Sequence, residues 1–312
     1  MANGVLVMGS FVADVAFRAS RLPAWGETLM GETFALGPGG KGSNQAVAAA
    51  RAGAAVQMFS KLGDDAFGKL ARDTWAADGI DARLVLRSDT ATGAAAILID
   101  AARGENAIIV VPGACYTLTP EEVDASAADI GEAKIFLTQL ELPLDAVHRG
   151  LEIARAARVV TILNPAPACP LPDSVIALAD YLIPNESEAA LLTGLPVETV
   201  EDAERAADAL VARGAGTVIV TLGSKGSLLR SGGETTLIPA FDAGAVVETT
   251  GAGDAFCGAF AAALAEGKSA VEAAQFASAA AGISVTRAGT APSMARREEI
   301  ESLKKKDLAG RK

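Results

Sequence analysis

The sequence has very few of the residues on which most metal and thiol chemistry depends. Its 312 residues include one histidine, His148, and three cysteines, Cys115, Cys169 and Cys257. The cysteines are odd in number and far apart, which excludes a disulfide framework and a zinc knuckle. His148 lies in the amphipathic pattern of a helix predicted over residues 144–157, so a Ser-His-Asp hydrolase is also disfavoured.

Long apolar runs and positive charge are scarce as well. No apolar run reaches the roughly 18 residues that a membrane-spanning helix needs, and residues 1–9 are typical of a buried strand rather than a signal peptide. The net charge is −11, and residues 304–306 form the only basic cluster, which disfavours nucleic acid as a partner. We therefore expect a cytoplasmic protein with neither a membrane nor a nucleic-acid partner. An anionic ligand would have to be bound by local amides and a few cations.

What the sequence does contain is an alternation of short β-branched runs with alanine-rich helical patterns. This alternation favours βαβ units and a mainly parallel sheet covered by helices on both faces, the α/β class. We expect residues 1–312 to form a single domain. The predicted strands span residues 5–8, 56–60, 135–137, 159–163, 181–183 and 218–221, and the predicted C-terminal helices span residues 255–266, 270–285 and 296–304.

Two segments interrupt this alternation. Residues 28–36, and the pair 92–100 and 106–111, predict strands that are joined without a helix, the pair by a turn at Arg103-Gly104. They indicate a small antiparallel lid, inserted from about residues 12–37 and 91–111. A lid with one uncovered face favours a homodimer formed through that face.

A glycine loop at residues 249–254, Thr-Thr-Gly-Ala-Gly-Asp, carries the strongest chemical signal. It follows a strand-like run at residues 245–247 and opens the predicted helix at 255–266. Its two glycines let an anion approach the backbone, and the helix start supplies unpaired amides with a partial positive charge. Asp254, at the edge of this loop, can accept a hydroxyl proton during phosphoryl transfer. The alternative is that Asp254 only caps the helix.

A second glycine loop spans residues 37–45, Gly-Pro-Gly-Gly-Lys-Gly-Ser-Asn-Gln. It is not a Walker A loop, because glycine follows Lys41. It suits the close approach of a small hydroxylated ligand, or else it is a lid hinge. Asp14 comes just after the first strand, where α/β proteins collect ligands, although a solvent-facing loop aspartate is the alternative.

Two further polar segments follow predicted strands. Residues 185–188 can hold phosphate or Mg²⁺-bound water, or can cap the next helix. Residues 221–226 can turn the chain beside a nucleotide, or can form an ordinary hairpin.

Taken in order, these segments resemble the ribokinase branch of the PfkB carbohydrate kinases, from about Val5 to about Ile300. The resemblance implies a ribokinase-like fold and ATP-dependent phosphorylation of the primary hydroxyl of a sugar. Ribose is the first candidate, and another pentose, a ketohexose or a nucleoside is the alternative. The matching motifs are GGKGSNQA at 39–46, TTGAGDAFCGAF at 249–260, NPAPA at 164–168, PNESEA at 184–189, TLGSKG at 221–226 and TRAGTAPS at 286–293.

The resemblance also implies roles for individual residues. Asp254 would be the catalytic base, and the anion hole for the γ-phosphate would come from Gly251, Ala252 and Gly253. The sugar would be bound by Asp14, Gly39, Gly40, Lys41, Asn44 and Glu141. The phosphates and Mg²⁺ would be served by Asn185 and Glu188, the latter through water. The nucleotide would lie along Thr221, Gly223, Gly226 and Ser278. A monovalent cation, usually K⁺, would be held by Glu248, Thr250, Gly289 and Ser293.

Three positions depart from the family pattern. Val12 stands where an asparagine often precedes the aspartate by two residues, which removes one polar contact to the sugar. Glu248 replaces a common aspartate at the cation site, and Ser278 replaces a histidine that some ribokinases place against the adenine.

Two other classes of protein share the α/β pattern. A nicotinamide dehydrogenase is disfavoured because no G-x-G-x-x-G follows the first strand. A non-catalytic sugar or nucleotide sensor is the other alternative, since fold does not settle function. The intact Asp254 beside its glycine loop argues against a sensor, which has no use for a base there.

Overall fold

A nine-stranded, mainly parallel sheet forms the centre of the molecule in the computed structural model, which describes residues 4–103 and 105–310 and the side chains as far as residue 307. Only the two strand pairs at one edge, β11 with β12 and β12 with β13, are antiparallel. In spatial order the strands are β13 (Glu234–Ile238), β12 (Ser227–Ser231), β11 (Thr217–Thr221), β10 (Tyr181–Leu182), β9 (Val160–Leu163), β8 (Ile135–Thr138), β1 (Gly4–Met8), β4 (Ala55–Gly63) and β5 (Asp81–Ser88).

Helices cover both faces of this sheet, which is why its central strands are apolar throughout. All five residues of β1 are buried: Val5 and Val7 face one core, and Leu6 and Met8 face the other. The helices are α1 (Lys41–Arg51), α2 (Ala66–Ala77), α3 (Pro120–Asp124), α4 (Ala127–Glu132), α5 (Leu144–Ala156), α6 (Asp173–Ile176), α7 (Glu186–Thr193), α8 (Val200–Ala212), α9 (Ala252–Ala265), α10 (Ala270–Ser284) and α11 (Arg297–Gly310).

Small residues bring α1 and α9 into close contact. A Cβ on Gly258 of α9 would lie 2.3 Å from the carbonyl oxygen of Gln45 and 2.6 Å from the Cβ of Ala48, both in α1. Only glycine allows this approach. The contact sets the start of α1 against the start of α9, where the candidate site lies.

A second, four-stranded sheet has the order β3 (Thr33–Gly39), β2 (Val12–Ala19), β6 (Thr92–Asp100) and β7 (Asn106–Gly113). Its two outer pairs are antiparallel, as expected, whereas the central pair of β2 with β6 is parallel. One face is apolar and open, since Phe34, Ile109 and Val111 are each at least 60% exposed. The turn predicted at Arg103-Gly104 includes Gly104, which lies outside the described residues.

Two predicted strands differ from the structure. Residues 245–247 form no strand: Val246 and Val247 are more than 60% exposed, and the segment is held by hydrogen bonds from the Val247 and Glu248 amides to the Val285 carbonyl oxygen. The strand predicted at 28–36 begins only at Thr33, where the ladder with Arg18 starts, and its partner β2 was not predicted as a strand. Burial against a neighbouring strand, rather than local β propensity, decides both cases.

Candidate active site

Asp254 lies in the first turn of α9 and is buried, with 7% of its surface exposed. The helix begins after Gly251, whose φ of 85° is the left-handed conformation that glycine adopts freely. The Asp254 carboxylate does not cap the helix. Its Oδ2 accepts a hydrogen bond from Asn44 Nδ2 at 3.1 Å, and its Oδ1 accepts one from Gln45 Nε2 at 2.9 Å. Residues from α1 therefore hold the carboxylate at the entrance of α9.

The anion loop is open beside Gly253. This residue is exposed, and no atom lies within 4 Å of the position that a Cβ would occupy. The Ala252 amide, by contrast, already donates to the Thr249 carbonyl oxygen at 3.2 Å. The exposed Gly253 therefore lies at the start of the 14-residue helix α9, the end at which the helix dipole favours an anion.

The second glycine loop is shaped by contacts that exclude side chains. A Cβ on Gly39 would lie 2.4 Å from Asp14 Oδ2, and one on Gly40, whose φ is 86°, would lie 2.7 Å from the Val12 amide nitrogen. The two glycines therefore let the loop close over β2, so that Asp14 lies at the start of α1.

Glu141 is joined to the start of α1. Its Oε2 accepts hydrogen bonds from the Ser10 hydroxyl and, at 2.8 Å, from the Lys41 amide. Burial disfavours the charged Lys41 ammonium, but the negative charges of Asp254, Glu141 and Glu188 outweigh this effect and raise the pKa of Lys41. A permanent positive charge therefore lies among the three carboxylates.

Asp14 has the most perturbed carboxylate of the site. Burial, opposed by a hydrogen bond from Thr290 and reinforced by the charges of Glu141 and Glu248, raises its pKa to about 6. The Thr290 hydroxyl lies 3.4 Å from Asp14 Oδ2 and 3.1 Å from the Pro38 carbonyl oxygen. A Cβ on Gly251 would lie 3.4 Å from Thr290 Cα. Thr290 therefore connects the Asp14 side of the site to the anion loop.

Asn185 and Glu188 form a capping box at the start of α7. The Asn185 side chain accepts from the Glu188 amide, and Glu188 accepts from the Asn185 amide and side chain at 2.9 and 3.0 Å. Burial raises the pKa of Glu188, although Lys41 opposes this. Asn185 and Glu188 therefore cap α7, and the charges of Lys41 and Asp254 that act on Glu188 indicate that its carboxylate also lies near the site.

Thr221 pairs with Asn185 in an isolated parallel β-bridge. Residues 221–226 form the turn of an antiparallel hairpin, with Gly223 in a short 3₁₀ helix and Gly226 packed against the Ile238 carbonyl oxygen. Ser278 is buried in α10 and donates to the Pro239 carbonyl oxygen at 3.0 Å, so its hydroxyl is already engaged.

The residues assigned to a monovalent cation surround the segment before α9. The Gly289 amide donates to Glu248 Oε2 at 2.8 Å, and the buried Ser293 hydroxyl donates to the Thr290 carbonyl oxygen at 2.7 Å. Thr250 is exposed beside them. A carboxylate, hydroxyls and carbonyls are all hard oxygen donors, the type that fits such an ion. Within the described part of the chain, no group of three His, Cys, Asp or Glu residues could hold a metal.

Several polar residues of this site were not predicted. Gln45 and Asn164 contact Asp254 directly or through one another, and Thr290 contacts Asp14. All three lie inside motifs that the sequence did reveal, but nothing in the motifs says which polar side chains point inward. Ser10 and Gln139, at the ends of buried strands, gave no signal of their own.

Comparison with known proteins identifies the class. The model of the "pfkB family carbohydrate kinase" matches residues 2–297, and the chain belongs to this family. Its fold is ribokinase-like, and the family's activity is ATP-dependent phosphorylation of carbohydrates.

Individual relatives are similar over nearly the whole chain. The ribokinase of Haemophilus influenzae is 41% identical over 300 residues, covering 96% of this chain and 97% of the relative. A deoxyribokinase of Salmonella typhi is 38% identical over 259 residues, a match that covers 82% of this chain and 84% of the deoxyribokinase. The structure of Arabidopsis thaliana ribokinase complexed with ribose and ATP superposes with a TM-score of 0.93 at 36% identity, covering 97% of this chain and 99% of that one.

Proposed function

We propose that this protein transfers the γ-phosphate of ATP to the primary hydroxyl of ribose, giving ribose 5-phosphate. The observation that carries the proposal is the buried Asp254 carboxylate at the start of a helix, beside the exposed residue Gly253 and close enough to Lys41 to raise the pKa of that ammonium. A base and an anion hole on either side of one reacting hydroxyl are what phosphoryl transfer needs, because catalysis here is mainly positioning and charge stabilisation.

In the proposed mechanism Asp254 accepts the proton of the hydroxyl while the loop at Gly251, Ala252 and Gly253 stabilises the transferring phosphoryl group. Gly253 is exposed and has open space where a Cβ would lie, and Lys41 offsets negative charge. Asp14 and Asn44 bind sugar hydroxyls, with Gly39 and Gly40 allowing close approach and Glu141 holding the amide of Lys41. Closure of the lid excludes water.

The nucleotide occupies the other side of Asp254 in this proposal. Asn185 and Glu188 orient the phosphates, Glu188 through Mg²⁺-bound water, while the adenosine lies along Thr221, Gly223, Gly226 and Ser278. Mg²⁺ supplies charge neutralisation on the phosphates when bound. Glu248, Thr250, Gly289 and Ser293 would hold a monovalent cation, which would supply positive charge beside the anion loop, because Glu248 and Thr250 directly precede Gly251 and the Gly289 amide donates to Glu248.

A specific observation favours 2-deoxyribose as a second substrate. Val12 and Asp14 are two residues apart on β2, so their side chains project from the same face, and Val12 is 5% exposed. An apolar side chain there offers no hydrogen bond to a sugar hydroxyl, and a deoxyribokinase is among the relatives. We expect Val12→Asn to raise the ratio of kcat/KM for ribose over 2-deoxyribose roughly tenfold, the value of about one hydrogen bond.

The test is a panel of pentoses, hexoses and nucleosides with ATP and Mg²⁺, followed by ADP production and product mass. Ribose-dependent ADP release with a ribose 5-phosphate product supports the proposal. Binding of sugar without ADP release would identify a sensor instead, and turnover only with hexoses or nucleosides would refute the substrate.

We also propose that residues 1–312 form one domain with the four-stranded sheet as its lid, and that two copies pair through the open face of that lid. The support is its exposed apolar side chains, among them Phe34 and Ile109. Light scattering should give the mass of a dimer, and Ile109→Lys should give a monomer; a monomeric wild-type protein would refute the pairing.

No helix among the described residues is long and apolar enough to cross a membrane. A cytoplasmic location is proposed because the reaction needs ATP.

A further inference from the structure

The side chain of Gln45 is buried completely and uses all of its hydrogen-bonding groups. Its Nε2 donates to Asp254 Oδ1 at 2.9 Å and to Asn164 Oδ1 at 3.0 Å. Its Oε1 accepts from Gln139 Nε2 at 2.6 Å. Since a glutamine amide has two hydrogens to donate, neither is left for any other partner.

A main-chain carbonyl fixes the direction of this chain of amides. Asn164 Nδ2 donates to the Ile183 carbonyl oxygen at 2.8 Å, and a carbonyl oxygen can only accept. Asn164 must therefore direct its Oδ1 at Gln45, and the Gln45 Nε2 must be the group that donates to it. The result is that an N–H group, and never a carbonyl, faces the carboxylate of Asp254.

Gln139 lies at the other end of this set of amides. Its Oε1 packs against Gly9, just after β1, where an added Cβ would come within 2.4 Å of the oxygen, and this oxygen has no hydrogen-bond partner among the described residues. Its Nε2 donates to Gln45 Oε1, which agrees with the direction set at Asn164, because a flipped Gln45 would turn its own nitrogen toward the Gln139 nitrogen.

Gln45 differs from its neighbour Asn44 in what it can touch. Both donate to Asp254, but Gln45 is 0% exposed and packs between Gln139 and Asn164, whereas Asn44 is 3% exposed and was assigned to the sugar. Gln45 therefore cannot serve as a sugar ligand, and its only contact with the reaction is through Asp254.

We propose that Gln45, held by Asn164 and Gln139, is a positioning residue that aims the Asp254 carboxylate at the substrate hydroxyl. This rests on the proposed kinase function. Hydrogen bonds to a carboxylate are among the stronger ones in proteins, so loss of the Gln45 bond should misplace Asp254. Because Gln45 acts on the reaction through Asp254, its loss should lower kcat and leave the KM for ATP unchanged.

The test compares Gln45→Met and Gln139→Met with the wild type in kcat and in KM for ribose and ATP. For Gln45→Met we expect kcat to fall about tenfold to a hundredfold, the effect of losing one hydrogen bond to a charged group, with the KM for ATP unchanged. Gln139→Met should show the same changes to a smaller degree, because Gln45 is then only unlocked.

Gln57→Met is the matched control. Gln57 is also a buried glutamine, but it lies near the start of β4, away from the site, and its Nε2 has no hydrogen-bond partner among the described residues. Its kinetics should match the wild type.

Three results would overturn the proposal. The first is a folded Gln45→Met enzyme with wild-type kcat. The second is a lower kcat accompanied by a KM for ATP that rises to the same degree. The third, if Gln45→Met does not fold, is a Gln139→Met enzyme identical to the wild type. Failure of the kinase function itself is a different result, since the wild-type protein would then release no ADP.

Discussion

Replacement of Asp14 by asparagine should make the protein more stable and a poorer sugar binder at the same time. Burial and the charges of Glu141 and Glu248 raise the pKa of Asp14 from 3.8 to about 6, so the ionised carboxylate is disfavoured in the folded state. A carboxyl group whose pKa is higher in the folded state contributes most stability below its unfolded pKa and loses that contribution as the pH rises through about 6.

At pH 7.5 the wild type therefore carries the full cost of this buried charge, about 2–3 kcal/mol from the difference in pKa. Asparagine has nearly the same shape and can still accept from the Thr290 hydroxyl. We expect Asp14→Asn to raise the free energy of unfolding by up to that amount at pH 7.5, with the gain shrinking to nothing near pH 4. Urea unfolding at several pH values measures it.

The same substitution should raise the KM for ribose about tenfold to a hundredfold, because a neutral amide replaces a charged acceptor of sugar hydroxyls. Asp73→Asn, on the exposed face of α2, is the control and should change neither quantity by much. A gain in stability that does not vary with pH, or no gain at pH 7.5, would refute the electrostatic reasoning.

Two other predictions follow from particular contacts. Gly258→Ala places a Cβ 2.3 Å from the Gln45 carbonyl oxygen and should lower the free energy of unfolding by about 1–3 kcal/mol, because α9 must move away from α1. Gly131→Ala, whose Cβ would lie 3.4 Å from its nearest neighbour, is the control. Equal urea midpoints for the two variants would contradict the packing argument. Potassium chloride should raise kcat relative to tetramethylammonium chloride at equal ionic strength, because the cation would bridge Glu248 and the anion loop; a flat titration would remove that site.

Much of the architecture was predictable because buried parallel strands have a strong sequence pattern. The run at Val5–Met8 is apolar on both faces. Asp254 follows two glycines that predict the start of a helix. Strand β2, Val12–Ala19, gave no comparable signal, since it is half exposed and contains Asp14 and Arg18. The run at 245–247 misled for the opposite reason: its valines have β propensity but no neighbouring strand.

The candidate site was predictable to the level of its loops but not of its side-chain network. The motif around Gly39 and Lys41 identified one wall, and the loop before Asp254 identified the other. The contact between Gln45 and Gln139, which are 94 residues apart in the sequence, follows only from the packing of α1 against the end of β8. Distances of this kind depend on packing, which local sequence patterns do not encode.

Asp254 is the base on which the proposed phosphoryl transfer depends, and Asp254→Asn tests this role most directly. Asparagine keeps the side-chain shape and can still accept from Gln45, so the variant should fold and bind ribose as the wild type does in calorimetry. We expect kcat to fall by about 10²–10⁴, the range for loss of a general base. A folded Asp254→Asn protein that turns over ribose and ATP at close to the wild-type rate would contradict the mechanism.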